Sequence, residues 1–147
     1  MKQVDTFAYV SMLKGLVEEG HQVSLLVSGS SMSPFLCHGR DTIYFQTPDR
    51  DLLVGDMVFY QRESGQYVMH RICKVKEGRF CMVGDAQTEL EWPVERSQIF
   101  ALVTKVQRKG AVLRPGDFWW EFFARVWIRL IPLRPLLVRL YGMRKKL

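Results

Sequence analysis

Two periodicities divide the chain. Over residues 5–19 the apolar positions Phe7, Val10, Leu13 and Leu16 or Val17 recur at spacings of three and four, the stripe of an amphipathic helix. Asp5 or Thr6 can cap its start and Gly20 stops it. From Val23 onward the period shortens to that of strands, with runs at 22–27, 42–45, 57–60, 67–75, 79–83, 99–106 and 111–113. Glu63-Ser64-Gly65-Gln66 and Arg108-Lys109-Gly110 read as hairpin connections between them. Short strands with Gly-bearing turns and no helices between them predict a mainly β, antiparallel domain.

A third pattern begins after Arg114-Pro115-Gly116. Asp117 suits a helix N-cap. Asp117, Glu121, Arg125 and Arg129 then fall four apart, acid first and base last, the order that the helix dipole prefers. Phe118, Trp119, Phe122, Phe123, Val126, Trp127 and Leu130 form a broad apolar face. Pro132 and Pro135 interrupt it, and Leu133, Leu136, Leu137, Leu140 and Tyr141 continue it to a basic end, Arg144-Lys145-Lys146. The expected organisation is therefore a domain over 1–113, with its helix at 5–19, and a basic, aromatic helical tail over 114–147.

Charge changes the reading of that tail. The chain has 147 residues, 48% of them hydrophobic and 24% charged, as a folded protein does. Residues 1–113 balance 13 Lys and Arg against 13 Asp and Glu, while residues 114–147 carry 8 against 2. The net charge of +6 thus belongs to the greasiest segment. A basic segment this apolar points to an anionic membrane surface rather than to nucleic acid, and one short, solitary helix is no helix-turn-helix. Packing back on the β domain or on a partner is the other reading. The aromatic density and the exclusively basic end favour the interface. Four arginines within the apolar stretch argue against a span.

Compartment and metal follow from smaller signals. Cys37, Cys73 and Cys81 are an odd set without CxxC spacing, which fits a reducing compartment better than a disulfide framework. No cysteine or histidine pair has zinc-finger or ribbon spacing, so no metal or other cofactor is expected. Asp5, Lys14 and Glu18-Glu19 break every early apolar stretch, so the start does not read as a signal peptide. The expected location is cytoplasmic, peripheral on the cytoplasmic face of the membrane.

Candidate chemistry sits where the first strand ends. Val27-Ser28-Gly29-Ser30-Ser31-Met32-Ser33-Pro34-Phe35-Leu36 passes from apolar to small residues, then to a Ser-Met step closed by proline. Small residues with an exposed hydroxyl suit a nucleophile that a peptide carbonyl must approach closely. A base must accompany it. Of His21, His38 and His70, only His70 lies within an apolar strand, where it is either a satisfied core imidazole or a placed one. A carboxylate that could orient it appears in Val83-Gly84-Asp85-Ala86, while Asp56 in Val54-Gly55-Asp56-Met57 reads as a turn residue.

Taken in order, Ser31-Met32-Ser33-Pro34, Gly55-Asp56-Met57-Val58, His70-Arg71-Ile72 and Gly84-Asp85 resemble the type I signal peptidase superfamily, which includes self-cleaving SOS-type repressors. The resemblance spans about residues 23 to 106. It implies an antiparallel β-ribbon or partly open barrel of the signal peptidase type. Most bacterial members and the repressors use a lysine base; His70-Arg71 here is similar to the endoplasmic-reticulum-like branch, where serine, histidine and aspartate do the work. The resemblance thus implies Ser31 as nucleophile, His70 as general base and Asp85 as orienting acid. Arg71 cannot be the base, since a guanidinium stays protonated. The Ser31 backbone N–H is the expected oxyanion donor. Gly29 stands where signal peptidases carry a hydroxyl donor, which leaves Ser30 as the candidate for the second.

The function so implied is a serine endopeptidase that cleaves a precursor, leader or signal-like peptide bound as an added strand, with small residues flanking the cut. Its rivals are a self-cleaving repressor-like domain and a non-catalytic binding or assembly module on the same fold.

Overall fold

The computed structural model of the protein describes residues 3–137 and 139–140, with side chains from Ala8 onward. The Phe7 side chain, Tyr141 and the Arg144-Lys145-Lys146 end, which carry part of the expected pattern, lie outside what is described.

Eight strands form one antiparallel sheet: β1 (Val23–Leu26), β2 (Thr42–Gln46), β3 (Met57–Gln61), β4 (Tyr67–Lys76), β5 (Arg79–Val83), β6 (Glu91–Glu95), β7 (Ile99–Arg108) and β8 (Ala111–Leu113). Their spatial order is β1-β2-β7-β3-β4-β5-β6, with β8 also on β7. The sheet is open, since no ladder joins β1 to β6 among the described residues. β3 is buried along Met57-Val58-Phe59-Tyr60 because it lies inside the sheet with both faces covered, as its unbroken apolar run requires.

Alternation along β3 shows what covers each face. Met57 and Phe59 join a large core with Val10, Leu13 and Val17 of the first helix, α1 (Gln3–Glu18). Val58 and Tyr60 join a smaller one with Ile72, Met82 and Val94. α1 begins before Asp5 and Thr6, which are therefore interior to it rather than its caps. Two tight hairpins use left-handed residue pairs, Glu77-Gly78 between β4 and β5 and Lys109-Gly110 between β7 and β8, the conformation that matches strand twist.

β6 has no counterpart in the predicted strands. It is an edge strand of sequence Glu-Trp-Pro-Val-Glu, and a proline with two flanking acids hides the alternation that marks the others.

Residues 118–134 pack on the large core, as the packing alternative for the tail required. Trp120, Phe123 and Trp127 are part of that core. The helix expected after Asp117 is a single α turn, α2 (Phe118–Glu121), followed by a wider turn at Phe122–Val126 and tighter ones at Trp127–Arg129 and Ile131–Leu133. The Asp117 carboxylate accepts from the Arg114 amide instead of capping this helix. Among the described residues no helix is long and apolar enough to cross a membrane.

Candidate active site

The Ser31 loop is anchored below and closed at its base. Met32, Phe35 and Leu36 sink into the large core, and Arg108 Nε donates to the Phe35 carbonyl at 2.7 Å. At the base, buried Asp41 accepts from the amides of Cys37 at 2.8 Å and Lys109 at 3.0 Å, and from Arg40. Burial pushes the Asp41 carboxyl up, but these donors outweigh it and hold it below the usual carboxylate range. His38, the histidine of the loop, accepts from the Gly29 amide at 2.9 Å and is occupied there.

Ser31 itself is half-buried. Its carbonyl accepts from the Ala86 amide at 2.9 Å. Among the described residues neither its hydroxyl nor its amide has a hydrogen-bond partner, so a nucleophile and one oxyanion donor are both available. Ser30 offers its carbonyl to the Ser33 amide, and its side chain is exposed.

The turn that meets Ser31 continues β5 as Gly84-Asp85-Ala86-Gln87. A Cβ at Gly84 would stand 2.5 Å from the Ser31 carbonyl oxygen, so only glycine permits this approach. Arg71 of β4 and Val83 of β5 are the last pair of their ladder, so His70 and Gly84 are the next residues beyond it, and His70 shares a cleft with Ala86 and Gln87. Ser31 and His70 therefore border the same turn, although no hydrogen bond joins them among the described residues.

His70 is 6% exposed and lies on the smaller-core face of β4. The Tyr60 hydroxyl lies 3.4 Å from its Nδ1 and donates to Glu91 Oε1 at 2.7 Å. Arg62 grips the same carboxylate, with its closest contact at 2.9 Å. Burial first, and the Arg62 cation second, push the His70 imidazole down to about 4, so it is neutral at pH 7 and able to accept a proton. Burial pushes Glu91 up, but hydrogen bonds from Arg62 and Tyr60 hold it below the carboxylate range. An open cleft of about 680 Å³ runs past His70, Ala86, Gln87, Glu91 and Trp92; Ser31 does not line it and is joined to it through the Ala86 amide.

Asp85, expected to orient the imidazole, is fully buried, and both of its oxygens are held by Arg71, at 2.9 and 2.8 Å. It acts on His70 through its charge, not through a hydrogen bond. Asp56 is paired with Arg50 at the Gly55 turn. Tyr60, Glu91 and Arg62 around the imidazole are what sequence reasoning missed. Tyr60 reads as one more core aromatic, and Glu91 sits in the edge strand that the pattern hid. Among the described residues no group of three or more histidine, cysteine or acidic side chains could hold a metal ion. Comparison of the chain with protein-family models, curated proteins and solved structures returns no match.

Proposed function

We propose that the protein is a serine endopeptidase of the signal peptidase type, acting on precursor or leader-like peptides. Ser31 Oγ attacks the scissile carbonyl carbon while His70 takes its proton. The resulting oxyanion meets the Ser31 amide. His70 returns the proton to the departing amine, and a water molecule, activated in the same way, releases the acyl group from Ser31. The observation that carries this reading is the pairing of a neutral, cleft-facing imidazole with a serine hydroxyl and amide that have no partner among the described residues, at opposite sides of one turn.

The sheet offers a place for the substrate. β4 pairs with β5 only from Arg71 onward. Ile72 exchanges bonds with the β3 side, through Asp56 and Gly55, so by alternation the N–H and C=O of Met69 point the other way. No strand pairs with that edge among the described residues. An extended peptide added there would run toward His70. In this scheme Tyr60 and Glu91 orient the imidazole and Asp85 secures Arg71.

The proposal includes a second contact, with an anionic membrane surface on the cytoplasmic face. Phe118 is 71% exposed and Trp119 46%, their rings in contact with each other, and Arg125 and Arg129 are exposed on the same segment. Replacing both aromatics by serine leaves the buried Trp120, Phe123 and Trp127 in place. The double variant should lose co-sedimentation with anionic phospholipid vesicles; binding equal to that of the parent removes this contact.

Peptidase activity is tested by incubating the protein with a proteome-derived peptide library and reading new termini by mass spectrometry. Cleavage should occur and should vanish in Ser31→Ala. Cleavage that persists in that variant removes Ser31 as nucleophile, shortening of the protein itself would indicate self-cleavage, and no cleavage at all would favour a binding module.

A further inference from the structure

The segment after residue 117 reaches the candidate site from behind. Trp127 Nε1 donates to the Asp85 carbonyl at 2.8 Å. Arg134 Nη1 donates to the carbonyls of Gly84 at 2.8 Å and Gln87 at 2.9 Å, and its Nη2 to Trp127 at 3.1 Å. Three of the four carbonyls of the 84–87 turn are thus held by two side chains from a distant part of the chain. The opposite side of that turn holds the Ser31 carbonyl through Ala86.

Arg134 is an expensive way to hold a turn. It is 1% exposed, its guanidinium lies 5.3 Å from the Trp127 ring, and its Nε is buried without a partner among the described residues. Burial pushes its pKa down, and the nearby Asp85 carboxylate already belongs to Arg71. A buried cation whose donors are incompletely matched adds little stability, and an apolar residue of similar volume often does as well or better. What an apolar residue could not supply is a two-pronged donor to carbonyls three residues apart.

We infer that Arg134 and Trp127 are positioning residues, which set the Ser31 nucleophile through the Gly84–Gln87 turn, so that the C-terminal segment is part of the site rather than an appendage to it. The inference rests on Ser31 being the nucleophile, and its test separates the two claims. Arg134→Met nearly keeps volume and removes the donors, Trp127→Phe removes the indole donor together with part of a core side chain, and Arg134→Lys keeps the charge and part of the donor set. Hydrogen exchange at the Ala86 amide reads the turn without any turnover, and kcat and KM on a peptide cleaved by the parent read the nucleophile.

In Arg134→Met the melting temperature should hold or rise, while Ala86 exchange quickens about tenfold or more and kcat falls about tenfold with KM within twofold. Trp127→Phe should likewise quicken Ala86 exchange and lower kcat, with a lower melting temperature from the space it leaves in the core, and Arg134→Lys should recover part of the exchange and of kcat. Parental exchange and parental kcat in folded Arg134→Met and Trp127→Phe would overturn the inference, as would a loss of kcat that only tracks a loss of stability. If the parent cleaves nothing, quickened exchange still establishes the hold on the turn while the peptidase reading falls; unchanged exchange then removes both.

Discussion

His70 and Arg71 are neighbours on β4, yet they meet opposite physics. Arg71 points into the large core, where its guanidinium is matched to both oxygens of Asp85, to the Gly55 carbonyl at 2.8 Å and to the Phe35 ring. Nothing there is left to react. His70 points to the other face and is buried almost as deeply; among the described residues its ring has one long hydrogen-bond contact, with a phenol, and an open cleft lies beside it. The buried charge of Arg71 is matched by its partners, whereas the buried base of His70 has few and is kept neutral at pH 7 by its burial. The two residue types suggest this division, but only the geometry shows that Asp85 belongs to the arginine.

The largest effect should come from breaking the satisfied side. Arg71→Met leaves the buried Asp85 carboxylate without both of its hydrogen bonds from Arg71, and should cost about 3–5 kcal/mol in urea unfolding. Adding Asp85→Leu should recover most of that loss. A single-variant cost well under 1 kcal/mol would mean that water reaches the pair.

The histidine side should be visible in stability as a function of pH. Its pKa is about 4 in the folded protein and near 6.5 unfolded, so the unfolded chain binds more protons between those values. The stabilisation from a neutral His70 is fully present above pH 6.5 and is lost as pH falls toward 4, by on the order of 3 kcal/mol. Subtracting the unfolding curves of His70→Gln from those of the parent should isolate that slope. Parallel curves would show that the imidazole is hydrated.

A smaller change sharpens the contrast. Glu91 raises the His70 pKa and Arg62 lowers it. Glu91→Gln removes the first and releases the second, so the imidazole should titrate lower still in a proton NMR titration, with a stability cost of about 1–2 kcal/mol. An upward shift would place the glutamate elsewhere.

Much of the fold was legible because local and global signals agreed. Seven strands, the first helix and the Lys109-Gly110 connection follow from period and turn chemistry. β6 did not, because edge strands tolerate proline and charge that the alternation rule counts against a strand. The tail was harder for a different reason. Phe118 and Trp119 on its outside and Phe123 and Trp127 inside are the same residue types, so an apolar stripe could not say which side meets the protein. Within the site, Ser31 and His70 could be singled out by the company they keep in the chain. The pairing of Asp85 with Arg71 depends on which way adjacent β4 side chains point, and the Tyr60–Glu91 contact joins residues 31 positions apart.

In the proposed mechanism the cleft-facing imidazole, already neutral well below pH 7, is the base that activates Ser31. The most direct test of that role is the pH dependence of kcat/KM on a peptide that the protein cleaves, taken over the range in which circular dichroism shows it folded. A base of this kind should give a plateau across pH 5–8 with an acid limb near 4. A limb centred near the ordinary histidine value of about 6.5, or activity that climbs toward pH 9 as a lysine base would require, would contradict it.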